Sequence, residues 1–232
     1  MAIKINAKFL EQLKSLSSFA PSQLDELAAN LSVKILQKNE SVFDQDEEAK
    51  LIYLLLSGVV RESYLNTNQK QTIVNLLAAG EFFGLDSLVP KSRHAFRCEA
   101  VENCTLGFIQ PRTLIEILLG IPHEMFLRWY TATMLHGRRM YIHCIRGIGL
   151  DLRRRLAMEL MNLADRFGRA DARGTVILLN ISHEVLAGIV GASRQQVTEY
   201  LNEFDREKII SREGRRIIIN SQKLRKILEI AP

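Results

Sequence analysis

The residues best suited to chemistry lie between Ile181 and Ile210, in ISHEVLAGIVGASRQQVTEYLNEFDREKII. On a helical projection Arg194, Gln195, Thr198, Glu199 and Asn202 share one side, and each can exchange hydrogen bonds with a base edge or a phosphate. Val197, Leu201 and Phe204 stand at i, i+4 and i+7 on the other side, which must therefore face a core. Ser193 followed by Gln196 is a capping box that starts this helix. Upstream, Val185, Leu186 and Ile189 give an earlier helix its own apolar face, ending at Val190. Gly191 then supplies a residue that accepts left-handed backbone, the usual way to stop and turn. The pattern is a helix-turn-helix with the second helix as reader. Arg194 can bond guanine through O6 and N7, and Gln195 can pair with adenine or another edge. A good contact of this kind discriminates by roughly 1–3 kcal/mol. Glu199 either accepts from a cytosine amino group or orients Arg194 or a neighbouring basic residue. Ser182, Ser193, Arg215 and Arg216 read as phosphate contacts, which position the helix without choosing sequence.

Charge supports that reading. Residues 1–136 hold 13 Lys/Arg against 15 Asp/Glu, whereas residues 137–232 hold 18 against 11. Only the back of the chain is suited to a polyanion. At 232 residues and 47% hydrophobic content there is material for two packed domains. The three cysteines, Cys98, Cys104 and Cys144, include no CxxC, so neither a zinc site nor a disulfide framework is expected, and no metal site is assigned. Cys98 and Cys104 read as small buried apolar residues. HExxH, GxSxG and GxxxxGK motifs are missing, so the expectation is a non-enzyme. His136 and His143 are seven apart and read as structural. No apolar run approaches the ~20 residues of a membrane span; the expectation is a soluble cytoplasmic protein without a membrane partner.

The elements that must position the reader follow in order. Phe9 to Phe19 and Ser22 to Leu31 are expected as short amphipathic helices, with Pro21 between them and Ser22 starting the second. From about Val33 to Ile109 short β-rich runs predict a small antiparallel barrel or sandwich: KILQ, SVF, LIYLLLSGVVRESYL, QTIVNLL, RCEAVE and CTLGFI. Gly58, Gly80 and Gly84 are placed at its corners. Pro111 to Leu119 is helical, and Pro122 opens a long helix to about Arg146. Its stripe of Phe126, Tyr130, Thr133, Gly137, Met140 and Cys144 suits either a dimer seam or packing on the chain's own barrel. Gly147 and Gly149 flank a hinge, and Asp151 caps a helix from Leu152 to Phe167. Arg153–Arg155 reads as a solvated face or as a contact to barrel or DNA. Gly168 to Gly174 is expected as a basic loop, SREGRRIII as a hairpin-like wing with Arg212, and Ser221 as the cap of a last helix.

These parts together resemble the Crp/Fnr superfamily of bacterial transcription regulators over nearly the whole chain. The matching segments include KNESVFDQDEEAKLIYLLLSGVVR, with Lys38-Asn39-Glu40, Gln45-Asp46 and Leu56-Ser57-Gly58, then GEFFGLDSL, Asp151 and, most specifically, IVGASRQQVTEYL. The resemblance implies an α+β chain in three parts. They are a cyclic-nucleotide-binding-like, jelly-roll-like antiparallel barrel (1–120), a dimerisation helix with hinge (121–148) and a winged helix-turn-helix (149–232). It also implies a homodimer on an inverted-repeat DNA operator, with half-sites ~34–36 Å apart, and RNA polymerase as a further partner.

The departures bear on the input signal. The cyclic-AMP-binding branch holds its ligand with a Gly-Glu pair and an Arg-Ser pair, where this chain has Gly84-Leu85 and His94-Ala95. Without the guanidinium fork a cyclic phosphate loses its best partner, and Arg93 or Arg97 could replace it only if the barrel loop shifted. Met140 and Tyr141 stand where that branch has hydroxyl residues. The iron–sulfur branch uses N-terminal cysteines, and none precedes Cys98. Cyclic AMP, an iron–sulfur cluster and haem are thus all disfavoured, leaving an unassigned small-molecule or redox signal. In the reader, Gln195 replaces a glutamate and Glu199 an arginine of the cyclic-AMP branch. Two alternatives stay open: a cyclic-nucleotide regulator with a rearranged pocket, and an effector-binding module acting on a protein partner.

Overall fold

Ile52–Ser57 is apolar at nearly every position because both its faces are covered. Ile52, Leu54 and Leu56 point into a helical layer, while Tyr53 and Leu55 point into the interior between two sheets. The computed structural model describes residues 5–13, 15–16, 19–67, 71–214 and 216–229, and the chain divides into two units, 1–141 and 142–232.

In the first unit the strands are β1 (Ser32–Leu36), β2 (Ser41–Phe43), β3 (Ile52–Ser57), β4 (Val60–Leu65), β5 (Gln71–Leu77), β6 (Phe82–Phe83), β7 (Arg97–Ala100) and β8 (Cys104–Ile109). They form two four-stranded antiparallel sheets, ordered β1-β8-β3-β6 and β2-β7-β4-β5. Leu36, Leu55 and Leu106 from the first sheet meet Val60, Leu77 and Cys98 from the second. The expected barrel is therefore an open, jelly-roll-like sandwich. The short β2 and β6 sit at sheet edges and do not carry a ladder around the corners. Gly58, Gly80 and Gly84 all have positive φ at turns. At Gly58 (φ +87) a Cβ would lie 2.7 Å from the Asn103 carbonyl oxygen, so the β3–β4 turn excludes any side chain there.

The outer face of β3 packs on α1 (Ala7–Glu11), α2 (Pro21–Asn30), α3 (Pro111–Gly120) and the start of α4 (His123–Gly149). The first helix is much shorter than the expected Phe9–Phe19: Asn6 caps it by accepting from the Phe9 N–H at 2.9 Å. Pro21 is the first residue of α2 rather than a spacer, since its fixed φ suits that position and it has no N–H to leave unpaired. The Gln23 carboxamide, not Ser22, completes that start by accepting from the Ala20 N–H at 3.0 Å. Trp129 fastens α4 to the sandwich, edge-on to Phe82 at 6.0 Å. The helix runs through Gly147 and Gly149, and the chain bends at Leu150, one residue past the expected hinge.

The second unit begins with α5 (Leu152–Phe167), capped by Asp151, which accepts from the Arg154 N–H at 2.8 Å. Gly168–Asp171 is a strand, β9, rather than a loop; it pairs with β10 (Gly174–Ile177), so its backbone is satisfied despite polar side chains. With β11 (Ile210–Glu213) and β12 (Arg216–Ile219) the sheet order is β11-β12-β10-β9. Between β10 and β11 come α6 (His183–Val190) and α7 (Arg194–Arg206), and α8 (Ser221–Glu229) closes the unit. Asn220, not Ser221, caps α8 by accepting from the Lys223 N–H at 3.1 Å.

Candidate nucleic-acid interface and effector site

The helix pair forms as its sequence dictates. Ser182 caps α6 by accepting from the Val185 N–H at 3.2 Å, and Gly191 takes φ +66 to end it. Ser193 Oγ then accepts from the Gln196 N–H at 3.2 Å, while Gln196 Oε1 accepts from the Ser193 N–H at 3.0 Å. Val197, Leu201 and Phe204 are fully buried, which fixes the rotation of α7 and turns Arg194, Gln195 and Glu199 outward. The Arg194 guanidinium makes no hydrogen bond or ion pair among the described residues. Glu199 is bonded to Gln195, whose Nε2 donates to Oε1 at 3.0 Å, and so does not orient Arg194. Thr198 Oγ1 donates to the Arg194 carbonyl at 2.8 Å. Arg216 is exposed at the wing tip, opposite Glu213. Arg215 lies outside the described residues.

Several residues that position the reader escaped the sequence reading. The run Arg153–Arg155 is neither a free solvated face nor a reach toward DNA. Arg153 bridges Glu203 at 2.9 Å and Glu207 at 2.7 Å, with its guanidinium 5.3 Å from the centre of the Phe204 ring. Arg155 donates to the Val190 carbonyl at 2.9 Å and to the Leu150 carbonyl at 2.8 Å. It thus joins the end of α6 to the bend before α5. Arg212 donates to Asn202 at 2.8 Å, so the wing braces the second half of α7. His183 Nδ1 lies 2.8 Å from Thr198 Oγ1. Burial and, after it, the charges of Arg212 and Arg194 hold the imidazole below its ordinary pKa. A triple arginine reads as surface by composition; only the return of α6 and α7 over α5 makes it internal bracing.

The positions that would hold a cyclic nucleotide are arranged differently from one another. Gly84 (φ +72) lets the chain pass Tyr53, where a Cβ would come within 2.8 Å of the ring, and Leu85 opens a short 3-10 turn, Leu85–Leu88. His94 is only 2% exposed. Its ring stacks on Phe43 at 3.6 Å, and its Nδ1 is 3.5 Å from Asp86. Its N–H donates to the Glu47 carbonyl, and its own carbonyl accepts from the Asp46 N–H, both at 2.9 Å. Ala95, next in sequence, is exposed. The arginines that could have substituted are engaged: Arg93 bonds the Asp46 carbonyl, and Arg97 lies 3.1 Å from Asp44 and 3.3 Å from Glu99. Inside the sandwich Glu62 stands opposite Cys98 and accepts from Asn75 at 2.9 Å. Burial, then the nearby carboxylates, raises the Cys98 thiol well above its ordinary pKa. Met140 is half-buried, whereas Tyr141 is 70% exposed and does not line this interior.

Comparison with known proteins matches both units. Residues 33–120 fit the cyclic nucleotide-binding domain model, and residues 154–227 fit the Crp-like helix-turn-helix domain model. The chain belongs to the Crp/Fnr family of transcription regulators. Among Crp/Fnr relatives, the transcriptional regulator LdrP of Thermus thermophilus is 26% identical over 188 residues, 81% of this chain and 91% of its own. The global nitrogen regulator of a Nostoc species is 26% identical over 192 residues, covering 81% and 85%. A solved CRP-family regulator, also from Thermus thermophilus, superposes with TM-score 0.68 at 25% identity, covering 83% of this chain and 95% of that one. FixK2 from Bradyrhizobium japonicum gives TM-score 0.74 at 22% identity, covering 87% and 98%, a likeness of fold. Sensing and DNA binding are thus the family roles of the two units.

Proposed function

We propose that this Crp/Fnr regulator works in the cytoplasm as a homodimer, setting two α7 helices on an inverted-repeat operator and meeting RNA polymerase there. The carrying observation is the exposed Arg194–Gln195–Glu199 face, held by a buried opposite face and by the Arg153 and Arg155 braces. Dimerisation is supported by α4. Leu127, Tyr130, Met134, Gly137, Tyr141 and Cys144 repeat at alternating three- and four-residue steps, and all are exposed. This stripe keeps Tyr130, Gly137 and Cys144 of the expected one and exchanges Phe126, Thr133 and Met140, which lie toward the side of the buried Trp129, for Leu127, Met134 and Tyr141. The protein acts by binding rather than catalysis. A mobility shift on genomic fragments should weaken steeply with salt, as phosphate contacts release counterions. No retarded fragment at low salt would sink the reading.

The input is a signal other than cyclic AMP. The phosphate-binding position is taken up by the His94–Phe43 stack, and the interior offers the carboxylate of Glu62 rather than a guanidinium. A buried carboxylate in place of a guanidinium disfavours the cyclic phosphate. Thermal unfolding with millimolar cyclic AMP should show no stabilisation; a rise in midpoint that grows with nucleotide concentration would reverse this conclusion.

A further inference from the structure

The reader helix carries a specificity device that its residue types alone do not reveal. A carboxylate only accepts hydrogen bonds, so the 3.0 Å contact between Gln195 and Glu199 fixes the carboxamide with its nitrogen toward Glu199. Gln195 has thereby used a donor on its neighbour and turns Oε1 away from it. Glu199 keeps its second oxygen. Thr198, between them on the helix, gives its single hydroxyl hydrogen to the Arg194 carbonyl, and His183 Nδ1 lies 2.8 Å from the same oxygen. The one donor hydrogen of Thr198 is thus used within the protein. Gln195 keeps its second N–H beside Oε1, so the acceptor-only group on the exposed face that follows Arg194 is the carboxylate of Glu199, held in place by Gln195.

We propose that Glu199, held by Gln195, selects the amino group of a cytosine, in the same half-site where Arg194 reads guanine. The inference rests on the DNA-reading function of α7. In the major groove guanine O6 and N7 and thymine O4 are acceptors, and only cytosine N4 and adenine N6 donate. Adenine N6 lies between two acceptors, its own N7 and thymine O4, which repel a carboxylate; cytosine N4 has only guanine O6 on one side and a C5–H on the other. Against any acceptor edge, Glu199 would be a carboxylate desolvated in a polyanionic groove without a partner, so mismatches are penalised rather than merely unrewarded.

The test selects binding sites for the full-length protein from duplexes with randomised half-sites at fixed salt. Wild type should select a C·G pair that Glu199→Ala no longer prefers, with discrimination there falling about tenfold. The guanine preference removed by Arg194→Ala should survive in Glu199→Ala. Gln195→Ala should weaken the cytosine preference less, because it removes the donor that holds Glu199 but not the carboxylate. Every C·G pair also offers guanine acceptors, so 7-deazaguanine separates the two readings. Opposite the selected cytosine it should leave wild-type binding within about twofold, whereas at the Arg194-dependent guanine it should weaken binding about tenfold. Unchanged base preferences in Glu199→Ala, or an equal 7-deazaguanine loss at both pairs, would overturn the proposal. Failure of wild type to enrich any sequence would instead overturn DNA reading itself. Glu199 is exposed and its replacement should leave the unfolding temperature unchanged, so loss of selection cannot be mistaken for loss of fold.

Discussion

At the scale of single residues, the winged unit depends on charged side chains that compose no recognisable motif. Arg155 satisfies two carbonyls that helix geometry leaves open, at Val190 and Leu150. Hydrogen bonds to a charged donor are worth more than neutral ones, and both acceptors would lose theirs together. Arg155→Ala should therefore destabilise the unit by about 2–4 kcal/mol, read from the urea midpoint. Arg155→Lys should recover only part, since one ammonium cannot span both carbonyls with fork geometry. His183 gives a second expectation. Its folded-state pKa is depressed, by burial first and then by Arg212 and Arg194, so the unfolded chain takes up the proton first as pH falls. Stability from this residue is full above the ordinary histidine value near 6.5 and is lost as pH drops through the lower folded value. Urea midpoints of the protein should decline between pH 7 and pH 5, and His183→Asn should decline less. Equal slopes would remove His183 from the account.

At the scale of elements, α4 has two unlike faces. Trp129 is buried against Phe82, whereas Met134 and Tyr141 point outward. Tyr141→Glu with Met134→Glu should convert a dimer to a monomer in sedimentation while leaving the unfolding temperature of the isolated chain nearly unchanged. Trp129→Ala should instead cost about 3–5 kcal/mol of first-unit stability. Elements of this kind were legible where one local rule acts alone. The strands β1 to β5, β7 and β8, the Asp151 cap and both helices of the reader follow from alternation, capping and a glycine turn. What stayed hidden depends on chain segments distant in sequence. The two-residue β6 exists only because β3 offers it a partner, and β9 becomes a strand only beside β10. The inward face of α4 stayed hidden too, because nothing in periodicity says that Trp129 meets Phe82. At the candidate site the outward face of α7 was legible, since polarity opposite Val197 and Leu201 marks it. The Gln195–Glu199 bond and the burial of His94 were not, because each needs a side-chain direction that spacing leaves free.

At the scale of the whole molecule, the division into two units predicts how the protein unfolds. The two core clusters of the first unit are built only from residues up to Trp129, drawn from the sandwich and its helices. The second unit has its own buried set, including Leu156, Leu160, Leu201 and Phe204. Independent cores unfold as one cooperative step only if the contacts between them are strong. The chain has a single tryptophan, Trp129, and it lies in the first unit. Its fluorescence therefore reports the sandwich alone, while far-ultraviolet circular dichroism reports helices of both. In urea the two signals should give midpoints that do not coincide. Adding operator DNA should raise the dichroism midpoint, because the ligand binds the folded second unit, and shift the fluorescence midpoint less. If both probes instead superimpose with and without DNA, the units fold as one, and a signal in the sandwich would reach the reader through a shared core rather than through α4.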